Sequence, residues 1–247
     1  MNKTKNERFW EIDLLRGIAI IMMIIFHILF DLVFLGIVKI NLYSGLNLLF
    51  LYSIGTIFLL LVGVSLSLSY SRVINVLSKR QIWLKFIQRG IMIFCLSLII
   101  TIFTWFYLGH GFIIFGVLHC IGLSIIFSIP FFKYRFSNLF LGTIFVFIGI
   151  FLRTMIFDFN WLLWLGFVPR GFYTVDYFPI LPWFGVVLIG IFIGNILYTD
   201  NKRNFHINDF SRFKLVKLFC FLGRYSLVIY FVHQPVILSL IYLFLLI

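Results

Sequence analysis

Charge is what this chain has least of. Charged residues fill 11% of its 247 positions, and only eight are acidic. A domain surrounded by water carries about 25%. Alanine occurs once, at Ala19, so the basic N-terminal segment (Lys3, Lys5, Arg8) lacks the A-x-A site of a cleaved signal peptide. The apolar run behind it is also too long for a signal and reads as a retained first span. The three cysteines, Cys95, Cys120 and Cys220, are scattered without metal-ligand spacing. They read as small buried apolar residues, and no metal is expected. No stretch reads as a linker, a soluble domain or an internal repeat.

What is abundant is apolar surface. Hydrophobic residues make up 63% of the chain, and 34 residues are Phe. A chain of this length cannot hide that much apolar area in one water-surrounded core. A soluble enzyme, a disordered protein and a nucleic-acid-binding domain are excluded. An integral membrane protein remains, with the lipid bilayer as its main partner. The net charge of +12 then reads as loop charge rather than as a nucleic-acid surface.

A bilayer-crossing helix needs about 20 mostly apolar residues. Seven windows qualify: 14–38, 46–70, 86–108, 112–132, 138–157, 177–199 and 219–246. With the N-terminus inside, only Lys39, Arg153 and Arg170 of the 20 Lys and Arg residues fall outside. This positive-inside bias supports the segmentation and puts the C-terminus outside. The expected fold is an all-α polytopic bundle of about seven helices forming a single domain, 1–247. The 200–218 loop is basic and suits anionic lipid. The 153–176 segment is aromatic. Trp161, Trp164 and Phe167 suit an interfacial belt, with a sugar platform as the alternative.

Ionisable groups inside spans mark function. The first span carries Asp13, Arg16, His27 and Asp31. At about 100° per residue, all four lie within roughly 60° of one another, a stripe that must face protein or water. Arg16 and His27 are separated by a rise of about 16 Å, from the cytoplasmic end to the outer half. His27 and Asp31 are one turn apart, so the carboxylate can orient the imidazole as a general base. In the fourth span, His119 lies between Gly116 and Gly122. In the seventh, Ser226, Tyr230 and His233 share a face, followed by Gln234 and Pro235. Asp176 precedes the sixth span as a helix cap, and Gly190 and Gly194 suit a helix contact.

Four blocks together resemble the catalytic-domain family of heparan-alpha-glucosaminide N-acetyltransferase, closest to its small prokaryotic membrane branch. They are Glu11–Ile20 followed by His27 and Asp31, the Gly116–Gly122 segment, Asp176–Gly185, and Leu222–Arg224 through His233–Pro235. The Arg16–His27 spacing is also similar to a motif of the membrane sugar O-acyltransferases. The resemblance implies transfer of an acetyl group from cytosolic acetyl-CoA, the co-substrate, to a sugar amine or hydroxyl on an extracytoplasmic glycan or glycolipid. It implies His27 as the catalytic residue, and Asp31 is read as its partner. Arg16 is expected at the CoA phosphates, across a span a pantetheine arm matches. His119, Asp176 and His233 are expected at the acceptor. Extra spans and a lumenal segment found in the animal enzymes are missing, so heparan is not implied. The cell membrane is the expected location, and a homodimer stays open. The rival reading from another class is a small proton-coupled transporter using the same stripe as a relay.

Overall fold

A computed structural model describes residues 8–199 and 201–245. Lys3, Lys5, Asp200 and the end of the last window lie outside the described residues. Among those described, the architecture is all-α. The helices are α1 (Trp10–Phe34), α2 (Gly45–Ser71), α3 (Lys79–Leu108), α4 (Val117–Phe127), α5 (Phe136–Leu152), α6 (Ile180–Leu197), α7 (Lys214–Arg224) and α8 (Ser226–Leu245). A two-residue hairpin, β1 (Tyr198–Thr199) and β2 (Lys202–Arg203), follows α6.

Five of these helices, α1, α2, α3, α6 and α8, are long and apolar enough to cross a membrane. Two windows yield helices shorter than the five long ones. The fourth becomes the 11-residue α4, because Gly109 to Gly116 runs as turn and extended chain. The fifth becomes the 17-residue α5. The last window splits. Tyr225 leaves the helical path, so a separate α7 precedes α8. In the other direction, α3 starts about two turns before its window. Ser78 and Gln81 form a reciprocal capping box there, satisfying two otherwise orphaned donors.

The described chain groups into two compact units. One takes the chain up to Phe58 and from Ile207 onward, and the other runs from Leu59 to His206. In the first unit, Ile20, Met23 and Phe26 of α1 pack with Ile54 of α2, and Ile229 and Tyr230 of α8 close over them. Here α1 and α7 touch backbone to backbone. A Cβ on Gly17 would run into the Phe219 carbonyl, and one on Gly223 into the Asp13 carbonyl.

The second unit repeats this device. Gly63 of α2 faces Gly190 of α6, Gly90 of α3 faces Gly122 of α4, and Gly142 of α5 faces Gly185 of α6. Small residues let helix backbones approach where lipid offers no hydrophobic drive for association. Gly190 and Gly194 are therefore a helix contact, as expected, with Gly194 lying against Ser67. Ser67 Oγ also donates to Asn195 Oδ1 at 2.5 Å. Cys120 and Cys220 are buried as expected, but Cys95 is exposed, because it sits on an outward face of α3.

Candidate functional site

The polar stripe of α1 faces protein, and it resolves into two groupings within the first unit. The first lies at the start of the helix. Asp13 is 4% exposed and holds two arginines. Arg16 Nη1 donates to Asp13 Oδ1 at 3.3 Å, and Arg224 Nε of α7 donates to Asp13 Oδ2 at 3.2 Å. Two guanidiniums thus converge on one buried carboxylate, and Glu11 is buried at the same end of α1. Sequence reasoning placed Arg16 at the donor and quoted Arg224 in a motif and as loop charge, without giving it a role of its own. The Gly17–Gly223 crossing is what delivers Arg224 to Asp13.

The second grouping lies later on α1, against α8. The rings of His27 and His233 meet edge to face, with centroids 4.6 Å apart. His27 Nδ1 donates to the Met23 carbonyl at 2.9 Å, one turn back. His233 Nδ1 donates in the same way to the Tyr230 carbonyl at 2.6 Å. A carbonyl can only accept, so both rings carry their proton on Nδ1 and present a lone pair on Nε2.

Asp31 differs from its expected role. It is 2% exposed, and its Oδ1 accepts from Gln234 Nε2 at 2.7 Å rather than from His27. The Met23 carbonyl already occupies the imidazole proton, so Asp31 is left to the residue that α8 presents beside it. Gln234 is therefore a site residue that sequence reasoning quoted but did not assign. Its signal was an uncharged amide inside an apolar span. Three buried atoms in this grouping take no hydrogen bond: Asp31 Oδ2, His233 Nε2 and Gln234 Oε1. Each is an acceptor. Buried polar atoms are normally satisfied, so three orphans from three adjoining side chains single this grouping out as the candidate site.

The second unit holds the other two expected residues, and they meet at the start of α4. Asp176 Oδ2 accepts from the Val117 amide at 3.2 Å, so it caps α4 and not α6. The chain from Val175 to Phe178 runs alongside Gly111 to Phe115 and carries the carboxylate there, through Val175 N–Gly111 O and Phe178 N–Phe115 O bonds of 3.0 and 2.9 Å. Burial pushes the Asp176 carboxyl up to about 6, and the Val117 N–H holds it back in part.

His119 accepts the Gly116 amide on Nδ1 at 3.2 Å and donates from Nε2 to Thr101 Oγ1 at 3.3 Å. This is the opposite tautomer to His27, with both nitrogens in use. These two bonds tie the ring to the turn into α4. The aromatic segment forms a cluster in which Phe157 packs on Phe167 and Phe159 on Trp161, with centroids 4.8 and 5.6 Å apart. Among the described residues, no group of three or more His, Cys, Asp or Glu is placed to hold a metal ion.

A family model for the catalytic domain of heparan-alpha-glucosaminide N-acetyltransferase matches residues 8–235. Neither a curated protein nor a solved structure matches the chain. The match runs through every block on which the resemblance rests, from α1 to the His233–Pro235 end of the α8 motif. The chain belongs to the heparan-alpha-glucosaminide N-acetyltransferase catalytic-domain family.

Proposed function

We propose that this protein is a membrane acetyltransferase that moves an acetyl group from cytosolic acetyl-CoA to a sugar amine or hydroxyl on an extracytoplasmic glycan or glycolipid. Family membership supports the acetyl transfer. One observation carries the assignment of the site: the orphaned atoms Asp31 Oδ2, Gln234 Oε1 and His233 Nε2, together with His27 Nε2, are all acceptors. A set made only of acceptors fits a group rich in N–H or O–H donors. An amine or a run of sugar hydroxyls has that character, and a thioester carbonyl does not.

In this reading, His27 Nε2 takes the proton from the attacking amine or hydroxyl. Its Nδ1–H stays on the Met23 carbonyl, which steadies the ring as charge develops. His233 Nε2 and the Asp31–Gln234 pair hold the acceptor's remaining donors. Acetyl-CoA supplies the activated acyl group when bound. The arginines fit its phosphates, because planar guanidinium forks suit phosphate oxygens. The rise of about 16 Å from Arg16 to His27 along α1 suits a donor that enters from the cytoplasmic end. His119 and Asp176 serve this reading by fixing the start of α4. The two units act as one catalytic domain in the cell membrane. The five long helices are joined by α5 and by α4, which spans only together with the non-helical chain at 109–116 before it, to make about seven crossings, with the N-terminus cytoplasmic and the C-terminus outside.

The test is transfer of radiolabelled acetyl from acetyl-CoA to a panel of amino sugars and neutral sugars by purified protein. His27→Ala should lower the rate by about 10²–10⁴-fold, the usual worth of a positioned base. Its thermal unfolding should stay that of the parent. Undiminished transfer by that variant overturns the mechanism.

A further inference from the structure

The helix that sequence analysis folds into a loop and a span has a surface with its own purpose. At 11 residues, α7 covers about 16 Å, roughly half of the hydrocarbon thickness, so it cannot cross a bilayer. Its faces are of three kinds. Val216, Cys220 and Gly223 turn toward α1, where Gly223 lies on the Asp13 backbone and Cys220 Sγ donates to the Trp10 carbonyl at 3.3 Å. Leu215 and Leu218, at 66% and 54% exposed, form an apolar strip that nothing among the described residues covers. Lys214, Lys217 and Arg224 line the adjoining edge, at about 280–360° against about 40–100° for the two leucines, counting from Lys214. All three are exposed.

The approach to α7 has the same mixed character. Arg212 is exposed, and Phe210 and Phe213 pack on one another with Phe210 edge-on to Trp10 of α1, centroids 6.2 Å apart. The acidic group on this stretch is Asp209, whose Oδ1 accepts from the Ser211 amide. Aromatic rings beside cations, at the basic end of an apolar helix, are what the bilayer interface selects.

We infer that α7 is an interfacial helix that binds anionic lipid headgroups through Lys214 and Lys217, with Leu215 and Leu218 set among the acyl chains. Charge complementarity selects this occupant over a neutral surface. Each lysine near an anionic surface strengthens binding by about fivefold. The inference does not rest on the proposed enzymatic activity. It has a consequence for the Asp13 grouping, because α7 carries both Gly223 and Arg224. Lipid that orders α7 also orders Asp13 and Arg16.

The test is amide hydrogen exchange of the full chain in discs of phosphatidylcholine alone and in discs with phosphatidylglycerol added. Residues 212–224 should exchange at least about fivefold more slowly with the anionic lipid, and residues 8–17 should slow with them. Lys214→Gln with Lys217→Gln should remove the difference while leaving the rate in phosphatidylcholine unchanged. Leu215→Gln with Leu218→Gln should speed exchange in both lipids. Equal exchange in the two lipids overturns the inference, as does a lysine variant that keeps the slowing. Slowing that follows the number of chains per disc instead of the lipid would assign the surface to a second copy, and also overturns it.

Discussion

Gly223→Ala concentrates the packing argument into one methyl group. The added Cβ would stand 2.8 Å from the Asp13 carbonyl carbon and 3.0 Å from the Gly17 nitrogen, and nearer still to the Asp13 oxygen. Ordinary contact begins near 3.4 Å, so α1 and α7 must part by at least roughly half an ångström. The opposing atoms are helix backbone, which cannot swing aside as a side chain would. Overpacking of this kind costs about 1–3 kcal/mol. The Arg224–Asp13 contact, 3.2 Å long, stretches as the helices part, and a half-exposed ion pair adds less than about 1 kcal/mol. For a chain of this size, about 2 kcal/mol lowers Tm by roughly 4–8 °C. The assay is thermal unfolding by far-ultraviolet circular dichroism in one detergent. Lys39→Ala, at an exposed position between α1 and α2, serves as the control and should move Tm little. A Gly223→Ala Tm within about 1 °C of the parent would refute the close crossing, and with it the delivery of Arg224 to Asp13.

Three further outcomes follow from the sites. His119→Ala should lower Tm, because it leaves the Gly116 amide unpaired at a cost of about 1–3 kcal/mol, while His233→Ala should cut acetyl transfer and leave Tm nearly unmoved. Stability should fall as pH rises from about 4 to 6, since a carboxyl raised from 3.8 to about 6 on folding binds its proton more tightly in the native state. Asp176→Asn, read by Tm at pH 5 and pH 7, should remove about 1 kcal/mol of that slope. Arg16→Gln should raise KM for acetyl-CoA with little change in kcat, and a KM equal to the parent's would remove Arg16 from the donor site.

How much of this could be read from the sequence depended on what kind of interaction set each feature. The five long helices were legible because lipid demands apolar length, and length is written in the order of residues. The inward stripe of α1 was legible because helical periodicity puts Asp13, Arg16, His27 and Asp31 on one side. The split at Tyr225 was not, because the first half of α7 reads as basic loop and its second half reads with α8 as one apolar run. The partner of Asp31 was hidden for another reason. His27 lies one turn away on the same helix, and that neighbour was visible. Gln234 comes from 203 residues further along and enters only when α8 docks. His119 was ambiguous because both its partners, Gly116 N–H and Thr101 Oγ1, depend on how the chain turns into α4.

The hydrogen bond from His27 Nδ1 to the Met23 carbonyl changes what mutation can reach. In many sites the tautomer of a histidine is set by a carboxylate side chain, and a single substitution can reverse it. Here the acceptor is the main chain of the same helix, and every residue at position 23 except one that breaks the helix supplies the same oxygen. No replacement of a neighbouring side chain takes that oxygen away. The open nitrogen of His27 is thus protected from drift in its surroundings, while Asp31, His233 and Gln234 stay free to vary. Under the proposed mechanism, substitutions at Asp31, His233 and Gln234 would change acceptor binding while leaving the His27 tautomer as it is.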